Sequence, residues 1–141
     1  MIYILKGVRM KRVLLLLVLL STFSFAEYTK EDRVADMRAM EAAMADIQKG
    51  FLYNSGDLIK QGSKVLRDHA LTLQPPRIGD SSLTREETYA FMFARKQQRK
   101  IDSHAAKLAE KFENGDKYQA MHHFTKILKQ CTACHTKLRK W

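Results

Sequence analysis

Apolar side chains recur at Val34, Met37, Met40, Met44, Ile47 and Phe51. Steps of three and four residues put one apolar stripe along a helix. Thr29, followed three residues later by Asp32, supplies the start of that helix. "YNSGD" ends it, with Asn54, Ser55 and Gly56 as cap chemistry. A second helix is predicted from about residue 57 to 73, with Leu58, Gly62, Val65, His69 and Leu73 near one side. "QPPRIGDSS" is a loop, since adjacent prolines cannot continue a helix. Thr84 and Glu87 make a capping box for a third helix through Ala94, Ile101, Ala105, Leu108 and Phe112. "ENGDK" is a tight turn, and the fourth helix runs from about residue 116 to 139. Long helices with mostly short joins predict an all-α, antiparallel four-helix bundle.

The first residues follow a different pattern. Lys6, Arg9, Lys11 and Arg12 precede an apolar run over residues 13–20, and "STFSFAEY" follows. A basic region, a short apolar run and a small-x-small ending describe a secretory signal peptide cleaved after Ala26. The run is shorter than the roughly 20 apolar residues that span a bilayer, which counts against the rival reading of an uncleaved anchor. Met10 begins a tidier leader, "MKRVLLLL". Residues 1–26 are thus expected to be leader and residues 27–141 a single domain, exported and periplasmic, with no membrane span after cleavage.

Composition then narrows the partners. The whole chain carries a formal net charge of +10. Losing the leader's four basic residues leaves +6. Those charges alternate with acids, as in "KEDRVADMR" and "KLAEKFENGDK", so no basic stripe for nucleic acid forms.

The candidate chemistry lies in "KQCTACHTKLRK", which holds the only two cysteines, Cys131 and Cys134, with His135 behind them. Three chemistries compete. A thioredoxin-type redox pair needs a βαβ setting that this helical pattern does not supply. A zinc site needs further ligands, for which His104, His122 and His123 are on offer. In covalent haem attachment, C-x-x-C-H supplies two thiols for the vinyl groups and an axial histidine. Helix geometry favours the third. Cys131 and His135 are four residues apart on one face, and Leu128, Phe124 and Met121 continue that face as an apolar lining. His69 on the apolar side of the second helix reads as a core histidine with a partner, and His104 has a similarly weak claim as a ligand.

A four-helix bundle with C-x-x-C-H near its C-terminus resembles the cytochrome c-prime family, including its Met-ligated low-spin relatives. The resemblance covers about residues 28–141. Its more specific parts are "ENGD", Phe124 seven residues before Cys131, and "CTACHTKLR". It implies one covalent haem c on Cys131 and Cys134, with His135 as proximal iron ligand and Arg139 close to it. It also implies that Arg33 of "RVADM" pairs with a haem propionate and that Met37 lies on the distal side. Val34 and Leu138 depart from the family, whose members often carry a polar residue and an aromatic there.

Met37 divides two functions. If its sulfur binds iron, the protein is an electron carrier that docks transiently with redox partner proteins. If it only packs, in a stripe with Met40 and Met44, the iron is five-coordinate and binds nitric oxide or carbon monoxide. Enzymatic turnover is not expected, because the stripe of methionines, alanines and Ile47 offers no distal acid or base. The resemblance leaves a homodimer open.

Overall fold

The computed structural model describes residues 28–73 and 84–139. The signal-peptide expectation and the whole "QPPRIGDSS" loop lie outside the described residues. Four helices account for nearly all of the rest: α1 Lys30–Leu52, α2 Gly56–Thr72, α3 Arg85–Glu113 and α4 Lys117–Arg139. No strand occurs among the described residues, and none of their helices is long and apolar enough to cross a membrane.

The helix ends are set by local chemistry. Thr29 and Asp32 form a reciprocal capping box on α1, and Thr84 and Glu87 do so on α3. The turn after α1 is a Schellman arrangement. Ser55 N–H donates to the Gly50 carbonyl and Asn54 N–H to the Phe51 carbonyl, with Asn54 at φ 52°. Ser55 then caps α2 by accepting from Leu58 N–H. The turn after α3 repeats the device, with Asp116 N–H on Lys111, Gly115 N–H on Phe112 and Gly115 at φ 82°. Asp116 caps α4 by accepting from Gln119 N–H.

The four helices pack as an all-α bundle, α1 against α2, α2 against α3 and α3 against α4. Its core is made by side chains such as Ile47, Ile59, Leu66, Leu108 and Ile127, all essentially without solvent contact. At Gly62 an added Cβ would lie 2.7 Å from Ile47 Cγ1 and 2.8 Å from the Ala43 carbonyl, so α1 and α2 nearly touch there. Further cross-contacts join Gly50 to Ile59, Asp36 to His69, Arg67 to Asp102, His104 to His123 and Lys117 to Phe112. Phe51 of α1 meets Phe124 of α4 edge to face at 5.9 Å.

Two stripes differ from their predicted positions. On α2 the buried row is Ile59, Gly62, Leu66 and Ala70, whereas Leu58 and Val65 are only half-buried. On α1 Val34 is 43% exposed, and the buried row starts at Asp36.

Candidate functional site

Cys131, Cys134 and His135 occupy the last turns of α4, all half-buried. The two cysteines are not joined. Cys131 packs against the core, and burial, with Cys134 nearby, pushes its thiol up to about 11. Burial raises Cys134 as well. Both sulfurs are therefore protonated near neutral pH, unlike the activated thiolate of a redox pair. No group of three or more His, Cys, Asp or Glu side chains among the described residues is arranged to hold a metal ion.

Beside these residues the apolar strip of α4 is at the surface. Leu128 is 51% exposed and Met121 43%, while Phe124 is half-buried and turned toward Phe51. Next to Leu128 lies a shallow, open depression of about 450 Å³ with Thr125, Lys129, Thr132 and Ala133 along its walls. Those walls belong to one helix, so the depression does not enclose a ligand. The strip itself is a different matter. Exposed apolar side chains leading to two thiols and an imidazole suit the edge and face of a flat hydrophobic ring, and the donor set fits haem c.

On α1, Arg33 is exposed and makes no ion pair among the described residues. Met37 is half-buried and packs against the core together with Met44, whereas Met40 is buried within it. Arg139 ends α4, and its side chain lies outside the described residues. Leu138, a step before it, is exposed.

The remaining histidines have partners elsewhere. His69 Nδ1 lies 2.7 Å from Asp36 Oδ1, so the expectation of a partnered histidine is met. Asp36 is buried, and its other oxygen accepts from Tyr28 Oη at 2.6 Å and from Thr72 Oγ1 at 3.4 Å. Burial, then this hydrogen bond, raises the Tyr28 phenol well above its usual range. Sequence reasoning missed Asp36. Its signals were an acid bordering an apolar stripe and a histidine on an apolar face. His104 and His123 meet Nδ1 to Nδ1 at 3.1 Å with ring centroids 5.3 Å apart, joining α3 to α4. Rings that face each other nitrogen to nitrogen suit one shared N–H···N bond. Burial lowers both imidazoles, helped for His104 by His123, Lys107 and Lys126, and for His123 by His122, Lys107 and Lys111.

No protein family, curated protein or solved structure matches the chain.

Proposed function

We propose that this chain is an exported, periplasmic monohaem c-type cytochrome of the cytochrome c-prime kind, with antiparallel helices, acting in electron transfer. The observation that carries the proposal is C-x-x-C-H on the last turns of α4, continued by the exposed apolar strip of Leu128 and Met121. Cys131 and Cys134 tether the haem and His135 holds its iron. When bound, haem supplies one-electron chemistry. Arg33, with no ion pair among the described residues, is offered to a propionate, and the resemblance puts Arg139, at the helix end, close to His135.

The distal side follows from register. With α1 and α4 taken as antiparallel, a register counted from the Phe51–Phe124 contact would bring His135 level with Met40 and one helical turn from Met37, which supports this reading. Met40 is committed to the core. Met37 is half-buried on the same flank as Phe51, which makes it the candidate sixth ligand. Redox partners dock transiently, and a homodimer is compatible with the fold.

One observation favours a second reading, a five-coordinate gas-binding haem. Met37 packs against the core, so its sulfur already has a role as filler. Neither reading makes the protein an enzyme, because Asp36, the acid next to Met37, is engaged by Tyr28, His69 and Thr72.

Absorption spectra of the ferric and ferrous holoprotein, with and without carbon monoxide, separate the readings. A sulfur-to-iron charge-transfer band and indifference to the gas are expected for the electron carrier. Met37→Ala should then give a high-spin, gas-reactive haem. Broad high-spin bands in the wild type that shift with the gas would establish the second reading. No haem absorption from a host able to mature c-type cytochromes would overturn both.

A further inference from the structure

We infer that Asp36 is a positioning residue for the distal side: its bonds to α2 set the rotation of α1 and so aim Met37. The inference rests on the haem reading above.

Residues 29–35 are all exposed, so Asp36 is the first buried residue of α1. What holds it is polar. Tyr28 Oη at 2.6 Å, His69 Nδ1 at 2.7 Å and Thr72 Oγ1 at 3.4 Å converge on one carboxylate. Two of these partners belong to the last turn of α2, and Thr72 divides its single hydroxyl proton between Asp36 and the nearer His69 carbonyl at 3.0 Å. The close approach of α1 to α2 at Gly62 comes only at Ala43 and Ile47, about two and three turns further along. Asp36 is therefore the polar fastening of α1's first turns.

A fastening at this position controls direction. Successive helical residues diverge by about 100°, so a carboxylate pinned to α2 turns the next side chain away from α2. Met37, Met44 and Phe51 fall within about 40° of one another on that second flank. Phe51 marks it as the flank facing α3 and α4, through Phe112 at 5.5 Å and Phe124 at 5.9 Å. At a side-chain radius of about 5–6 Å, a 20° rotation of α1 carries the tip of Met37 through about 2 Å. That is enough to take a thioether off a ligand position, or to open the cover that a packed methionine makes. The Asp36 clamp thus matters whether Met37 binds iron or only shields it.

The experiment is carbon monoxide association with the ferrous holoprotein, followed by flash photolysis, in Asp36→Ala, His69→Ala, Tyr28→Phe and Met37→Ala. Asp36→Ala and His69→Ala should speed association by roughly tenfold or more, the scale of losing hydrogen bonds to a charged group. Tyr28→Phe, which removes one donor, should have a smaller effect in the same direction. Once Met37 is alanine, adding Asp36→Ala should change nothing further, because there is no side chain left to aim. Arg67→Ala is the control, since it removes an ion pair by which α2 reaches α3 and not α1, and its rate should stay near that of the wild type. If Asp36→Ala fails to fold, His69→Ala and Tyr28→Phe carry the test. Wild-type rates in the clamp variants, equal acceleration by Arg67→Ala, or additive effects of Asp36→Ala and Met37→Ala would overturn the inference while leaving the haem reading intact. A chain without haem would overturn both.

Discussion

His104 and His123 show how one pair of residues makes a fold sensitive to acid. One imidazole donates and the other accepts across 3.1 Å, and protonating both sets two N–H groups head to head. Lys107, Lys111, His122 and Lys126 add positive charge, and Glu110 opposes them at His123. Both imidazoles are harder to protonate in the fold than in an unfolded chain, where histidine titrates near pH 6.5. At pH 8 both are neutral in either state and contribute no pH dependence. As pH falls through about 6.5, the unfolded chain takes up protons first and stability is lost, until the folded imidazoles titrate as well. The urea midpoint should be lower at pH 5.5 than at pH 7.5, and His104→Asn/His123→Asn should shrink that difference. An undiminished difference in the double variant would show that other groups set it. The pair was not legible in the sequence, because its members lie 19 residues apart on different helices. Asp36 and His69 are 33 apart, so the sequence reading had a partnered histidine without the partner. Cys131, Cys134 and His135 could be grouped from the sequence because they fall within five consecutive residues.

At the scale of the element, the caps were the most readable feature. Thr29 with Asp32 and Thr84 with Glu87 close their capping boxes as expected, since a cap depends on neighbours three residues away. The turn at "ENGDK" depends on Gly115 at φ 82°. Gly115→Ala meets no steric neighbour, so its cost is backbone strain alone, about 1–2 kcal/mol. Denaturant unfolding checks this, and an unchanged midpoint would mean that the turn relaxes. On α2 Gly62 and Leu73 are buried as read, but Leu58 and Val65 were named where Ile59 and Leu66 are buried. Leu58 stands beside Ile59 and Val65 beside Leu66, so two apolar rows compete and periodicity alone cannot rank them. The close approach at Gly62, against Ala43 and Ile47, presents Ile59 and Leu66 to the core.

At the scale of the whole molecule, the four helices bury a common core while leaving Leu128 and Met121 at the surface beside the C-x-x-C-H segment. The strip could be placed on one helix face from the sequence, but its exposure could not, because that depends on how α4 meets its neighbours. Covalent attachment is the central claim. Its most direct test is the intact mass, under denaturing conditions, of the protein made in a host that matures c-type cytochromes. The account predicts the mass of the chain plus one haem, retained after unfolding and lost in Cys131→Ala/Cys134→Ala. The bare mass of the chain, as free thiols or lighter by two hydrogens as a disulfide, would contradict it.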